Sequence, residues 1–305
     1  MKMYNQELLN VEIPAVILGC MRMGDKDINT VKQIIQASYD SGVTFFDHAD
    51  IYGKGESERL FGQALNELDI DRSKLWIQSK ASIRQGMFDF SQEYLLEAVD
   101  GILSRLQTDY LDSFLVHRPD TLVDLKEFAQ TLQILHDNKK VKYFGVSNCN
   151  SMQIEMLKKY CTVPLVFNQI QFGPMHSKII DSGINVNIGD DFGVNRDGSI
   201  LEYSRINDIT LQAWSPLMVG FFEDNFMNNE KYPELNEVLN KLASKYGVSE
   251  SAIVCSWITT HPANIQIIIG TMNPLRIREM AKGADITLNR QEWYEVYLSA
   301  GHRLP

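Results

Sequence analysis

The sequence has no run of apolar residues approaching the length of a membrane span, and its first fourteen residues, MKMYNQELLNVEIP, contain no continuous apolar stretch of the kind a secretory leader carries. The expectation is a cytoplasmic protein without a membrane partner. No CxxC pair occurs among the four cysteines, Cys20, Cys149, Cys161 and Cys255, so neither a zinc site nor a disulfide framework is expected, only buried free thiols. Basic excess is missing as well. With 29 Lys and Arg against 39 Asp and Glu, the formal net charge is −10, which argues against nucleic acid as a partner because that would need an extended basic face. There is no G-x-G-x-x-G: the nearest approach, GKGESE at 53–58, lacks the third glycine and follows the wrong strand. There is no P-loop and no Tyr-x-x-x-Lys pair, and no Pro/Gly-rich linker divides the chain.

What is present is a regular alternation. Apolar strand-like runs at 16–20, 43–46, 75–79, 111–116, 143–147, 165–169, 209–214 and 265–270 alternate with amphipathic helical stretches. Eight strand–helix units in 305 residues, with 44% hydrophobic and 22% charged residues, predict an α/β fold: one (β/α)8 TIM barrel spanning 1–305 as a single domain. QEWYEVYLSA at 291–300 reads as an added C-terminal helix. The loop after strand six, 170–198, is too long for an ordinary strand-to-helix connection. It is expected to be functional or mobile and to form a surface hairpin.

In such a barrel the C-terminal strand ends converge, so polar residues that close the strands meet at one face. FDHADIYGKGESE at 46–58 ends strand two in a cluster of ionisable groups, which is open to three readings: a metal site, an acid–base site or a solvated loop. Asp47 closes that strand and Tyr52 follows it, Lys80 closes strand three, and His117 in FLVHRPD closes strand four. A phenol with an ordinary pKa near 10 works as a proton donor when a cation favours its anion. Lys80 can be that cation, Asp47 can hold it charged, and His117 can bond a substrate oxygen. The metal reading has one histidine, His48, and no recurring carboxylate–histidine set, so His48 and Asp50 are expected behind the site. Arg118 and Asp120 are expected to brace the turn after strand four.

Asp47, Tyr52, Lys80 and His117, in that order, resemble the tetrad of the aldo-keto reductases, and the similarity runs over nearly the whole chain. It is closest to a bacterial branch with HADIYG after strand two and HRPD after strand four. The resemblance implies a barrel binding NADP(H) across its C-terminal face and passing hydride to a small-molecule aldehyde or ketone. It implies nicotinamide contacts at Ser147 and Asn148 in GVSN, at Gln169 in FNQ, and at Trp214, whose ring would stack on the nicotinamide. It implies a pyrophosphate loop at Ser215, Leu217 and Gly220 of AWSPLMVG, and an adenosine end at Gly270, Thr271, Arg276 and Glu279 of IIGTMNPLRIRE, with no metal. The sequence departs from the family pattern at Gly270, where many members carry lysine, and at Met280, where they carry asparagine. A nicotinamide-binding regulatory subunit with little turnover and a metal-dependent barrel hydrolase stand as alternatives. Which carbonyl is reduced, and the oligomeric state, are open at this stage.

Overall fold

The computed structural model describes residues 1–221 and 223–305. An N-terminal hairpin, β1 (Met3–Gln6) and β2 (Val11–Pro14), precedes the first barrel strand, β3 (Val16–Gly19), and its helix α1 (Ile28–Asp40). There follow β4 (Phe45–Asp47), α2 (Glu56–Asn66), β5 (Trp76–Ala81), a small hairpin of β6 (Ile83–Arg84) and β7 (Met87–Phe88), α3 (Gln92–Leu106), β8 (Leu111–Val116) and α4 (Leu125–Asp137). The second half runs β9 (Val141–Ser147), α5 (Ser151–Lys158), β10 (Leu165–Gln171), α6 (Lys178–Ile184), α7 (Ile200–Ile206), β11 (Thr210–Trp214), α8 (Pro233–Tyr246), α9 (Glu250–Thr260), β12 (Gln266–Ile269), α10 (Pro274–Gly283) and α11 (Arg290–Ser299).

The parallel strands β3, β4, β5, β8, β9, β10, β11 and β12 pair in that order, and β12 closes back on β3. This is the expected eight-stranded barrel. Strands of a parallel barrel are covered on both faces, which is why β8 and β10 are buried at every position. The helices bury one stripe each. In α1 that stripe is Val31, Ile34, Ile35 and Ser38, and the Asp27 carboxylate caps the first turn by accepting from Thr30 N.

The N-terminal hairpin seals the end of the barrel where the strands begin. Tyr4 donates from its hydroxyl to the Thr259 and Ile265 carbonyls, just ahead of β12. The C-terminal ends of the strands lie at the opposite end. On the barrel's flank, α11 packs on α9 through Trp257 and Trp293, whose rings stack at 4.8 Å while each indole N–H donates to the other residue's carbonyl at 3.0 Å.

The 170–198 segment is not the surface hairpin its composition suggests. It contains α6 and a 3-10 turn at Asp191–Gly193. The cause is tertiary. Asp181, buried in α6, accepts from Tyr297 Oη of α11 at 2.9 Å and from Ser177 Oγ at 2.8 Å, while Arg303 near the C-terminus pairs with Asp190. Partners more than a hundred residues away hold this segment in a shape that no local pattern announces.

Candidate active site

The strand period of two decides which residues of HADIYG enter the barrel. Phe46 and His48 point outward onto Phe61 of α2, at ring-centroid distances of 5.0 and 4.6 Å. Phe45 and Asp47 therefore face inward. Phe45 joins Trp76, Tyr143 and Phe167 in an aromatic layer across the interior, with Trp76 stacked on both Phe45 and Tyr143 at 5.3 Å. Two positions further along β5 than Trp76 comes Gln78, and two further again comes Lys80, so successive layers turn polar toward the mouth.

Asp47 Oδ1 accepts from Lys80 Nζ at 2.6 Å, Gln78 Nε2 at 2.7 Å and Gln169 Nε2 at 3.0 Å, and its Oδ2 accepts from Lys80 at 2.7 Å. Lys80 is fully buried and also donates to the His48 carbonyl at 2.7 Å. Burial works against the charge on Lys80, but Asp47 and then Tyr52 outweigh it and hold its pKa above the ordinary lysine value. Such a pair is stable only because the ammonium is surrounded by acceptors.

Tyr52 opens a 3-10 turn at Tyr52–Gly55, in which Gly53 and Lys54 take left-handed backbone conformations that fold the chain back into α2. Its ring lies over Lys80, 5.2 Å from Nζ to centroid, and edge-on to His117 at 6.0 Å. Burial pushes the phenol's pKa above its usual value, Lys80 pulls it down and Asp47 pushes it up, with a net rise. His117 is driven well below its usual value by burial, then by Lys80 and Arg118, and its Nδ1 has no hydrogen-bond partner among the described residues. The imidazole is thus neutral. The four residues expected from the sequence are brought together: a neutral phenol and a neutral imidazole above a buried ion pair.

A set of amides, of which the sequence reading named only Gln169, lies beneath them. Gln78 Nε2 and Gln169 Nε2 both donate to Gln212 Oε1, at 2.8 and 3.2 Å; Gln212 donates to Gln266 at 3.0 Å, and Gln266 donates to the Pro14 carbonyl at 2.7 Å. Ser113 Oγ donates to Gln78 Oε1 at 2.9 Å. These glutamines form a ladder inside the barrel that ends on Asp47. The available signal was one amide in each of the strands WIQSK, LQAW and IQIII, since buried amides need partners.

Behind β4, Asp50 Oδ2 accepts from Tyr94 Oη at 3.1 Å, and buried Glu58 accepts from Ser79 and Arg105 at 2.6 and 2.7 Å. His48 has no hydrogen-bond partner on either ring nitrogen among the described residues. Asp120 caps the turn after β8 as expected, accepting from Phe90 N and Leu122 N. Arg118 differs from expectation: its side chain leaves the turn and lies over the Phe221 ring at 5.3 Å. Among the described residues, no group of three or more His, Cys, Asp and Glu is placed to hold a metal ion.

The residues implied for a dinucleotide follow the strand ends around the same mouth. Ser147 Oγ donates to the Gln169 carbonyl, and Asn148, at a left-handed φ of 57°, donates to Ser147 Oγ and accepts from Trp214 Nε1 at 3.2 Å. Gln169 Oε1 accepts no bond among the described residues, leaving an acceptor beside the mouth. Ser215, Leu217 and Gly220 lie on a tight loop in which Phe226 N returns to the Leu217 carbonyl, and a Cβ on Gly220 would strike the Glu223 carboxylate at 2.6 Å. Gly270 has open space where a side chain would stand, and Thr271 Oγ1 accepts from Asn273 N at 3.2 Å. Arg276 projects from the first turn of α10 with no acid partner among the described residues, and Glu279 pairs with Lys282 at 2.6 Å. Met280 is buried. An acceptor at Gln169, an indole held by Asn148, and an exposed arginine on a helix N-terminus make a donor set that suits a phosphorylated nicotinamide dinucleotide.

Comparison with known proteins identifies the family. Residues 15–297 match the model of the aldo/keto reductase family. A 6-dehydroglucose reductase of Novosphingobium aromaticivorans is 31% identical over 281 residues, covering 90% of this chain and 86% of that protein. Among solved structures, a thermostable aldo-keto reductase crystallised with the inhibitor epalrestat superimposes with a TM-score of 0.79 at 26% identity, over 98% of this chain and all of that one. An aldo/keto reductase of Klebsiella pneumoniae, solved with NADP and acetate, shares the fold at a TM-score of 0.74 and 22% identity over 94% of this chain and 92% of its own. On the family match over nearly its whole length, and on the barrel that the match presupposes, the chain belongs to the aldo/keto reductase family.

Proposed function

We propose that residues 1–305 act as one NADPH-dependent reductase that converts a small aldehyde or ketone to its alcohol, with Tyr52 as general acid assisted by Lys80, Asp47 and His117. The observation that carries this reading is the fully buried Lys80 ammonium, bonded to Asp47 and lying 5.2 Å beneath the Tyr52 ring. The cofactor, when bound, supplies hydride to the carbonyl carbon. As charge builds on the carbonyl oxygen, Tyr52 Oη releases its proton to it, and the fixed charge of Lys80 stabilises the phenolate left behind. Asp47 and the glutamines hold Lys80 in place. His117, neutral, donates a hydrogen bond to the same oxygen and sets its distance from Tyr52. Trp214 offers its indole face to the nicotinamide ring, Ser147, Asn148 and Gln169 serve the carboxamide, and Ser215, Leu217 and Gly220 serve the pyrophosphate. Gly270, Thr271, Arg276 and Glu279 serve the adenosine end. A related protein's name supplies one trial substrate, an aldehydic sugar. The test is NADPH oxidation by the purified protein with a panel of aldehydes and ketones, sugars included. Turnover of at least one carbonyl is expected. Tight NADPH binding without turnover of any of them would replace the enzyme with a cofactor-binding subunit.

A further inference from the structure

Arg118 follows His117 at the end of β8, and its backbone is gripped from both sides. Its N–H donates to Ser82 Oγ at 3.0 Å, and Ser82 Oγ donates to its carbonyl at 3.2 Å. Ser82 is buried at φ 125°, a region in which residues other than glycine are rarely found, so the surrounding structure sustains a costly conformation to keep this residue in place. Such strain is commonly kept where position matters.

The side chain meets no carboxylate and no carbonyl acceptor among the described residues. Its guanidinium lies over Phe221, on the loop after β11, and the Phe221 ring meets Trp214 edge-on at 6.0 Å. In the barrel β9 and β10 separate β8 from β11, so an arginine that starts at His117 and reaches this loop passes along the mouth of the barrel. A guanidinium stays charged and carries five N–H donors in one plane. The Phe221 face can interact with the cation but accepts none of those in-plane hydrogen bonds. Burial lowers the pKa of Arg118, and the Cys149 thiol opposes that only in part. The result is a half-buried cation with no hydrogen-bond acceptor for its side chain among the described residues, next in sequence to His117, in a protein of net charge −10.

We infer that Arg118 selects carbonyl substrates that bear an anionic group, a carboxylate or a phosphate, apart from the reacting carbonyl. The inference deepens the proposed reduction and rests on it. A fork of N–H donors against a carboxylate makes charge-assisted, frequently bidentate bonds. One such contact changes affinity by roughly ten- to a hundredfold.

The experiment compares kcat/KM for 4-carboxybenzaldehyde and 4-nitrobenzaldehyde with NADPH in the wild type, Arg118→Met and Arg118→Lys. Melting temperature and NADPH affinity serve as controls for folding. The wild type is expected to favour the carboxylate by about tenfold or more. In Arg118→Met that ratio falls toward one through a higher KM for the carboxylate, and in Arg118→Lys part of it returns. An unchanged ratio overturns the inference. So does a rise in the KM for NADPH with the aldehyde ratio intact, since the anion read by Arg118 would then be the cofactor's own phosphates. Titration of the NADP⁺-bound protein with terephthalate gives a readout that needs no turnover. If neither aldehyde is reduced, the reductase reading is in question, and the titration still decides: binding lost in Arg118→Met supports the inference, and no binding to the wild type overturns it.

Discussion

At Tyr52 opposing influences act on one phenol. Burial and Asp47 push its pKa up, while Lys80 pulls it down. Replacing Tyr52 with Phe keeps the ring over Lys80 but removes the proton, so carbonyl reduction should fall by about 10²–10⁴-fold with NADPH affinity nearly constant. Retention of most activity in a stopped-flow assay would assign the proton to another group. Lys80→Met removes the influence that lowers the phenol's pKa, so the phenol becomes a weaker acid. Reduction should slow at every pH, and alcohol oxidation, which needs the phenolate as base, should shift its rising limb to higher pH than in the wild type. A pH–rate profile of the oxidation direction reads this. A limb that stays in place would mean that Lys80 does not act through Tyr52.

At the scale of elements, α10 and the interior of the barrel carry separate expectations. Arg276 sits in the first turn of α10 above the Asn273 cap, exposed and free of acid partners among the described residues, and Gly270 leaves the neighbouring position without a second cation. A 2′-phosphate there would gain from the helix N-terminus and one guanidinium, worth about ten- to a hundredfold in favour of NADPH. Arg276→Ala should bring the NADPH/NADH ratio of kcat/KM toward one, mainly through weaker use of NADPH. A wild type preferring NADH would show that the phosphate is not read at α10. Inside the barrel, Gln78 donates to both Asp47 and Gln212 and accepts from Ser113. Gln78→Leu strands buried polar groups at about 1–3 kcal/mol. The expected outcome is a lower urea midpoint together with a reduced kcat at unchanged KM for NADPH. A loss of stability with kcat intact would make the ladder a matter of packing alone.

For the whole molecule, acid sensitivity is written into an outward-facing strand position. His48 is fully buried against Phe61 with neither nitrogen hydrogen-bonded among the described residues, and its pKa is pushed down to about 3 by burial and then by Lys80. In the unfolded chain it titrates near 6.5. Its folded value is depressed, so below 6.5 the unfolded state binds the extra proton and stability is lost, by about 1.4 kcal/mol per pH unit, down to about 3. Urea unfolding of the wild type and His48→Leu at pH 6.5 and 4.5 should therefore differ: the variant should lose less stability across that interval, by on the order of 2 kcal/mol. Equal losses would mean that His48 titrates normally in the folded protein.

The period of the apolar runs was enough to determine eight strands, their helices and their closure into a barrel, because a parallel strand covered on both faces is rich in apolar residues. β8 and α10 were visible as residue patterns before any coordinates. The meeting of the four residues was legible for a related reason: Asp47, Lys80 and His117 each stand at or just beyond the C-terminal end of a predicted strand, and a barrel brings all such ends to one face. Tertiary structure alone decided the rest. The glutamine ladder depends on amides of four strands meeting across the interior, and α6 exists where expected hairpin residues find Tyr297 instead. The reach of Arg118 depends on where the loop after β11 places Phe221. In each case the partners lie tens to hundreds of residues apart, and local preference carries no information about a contact that only the closed barrel creates.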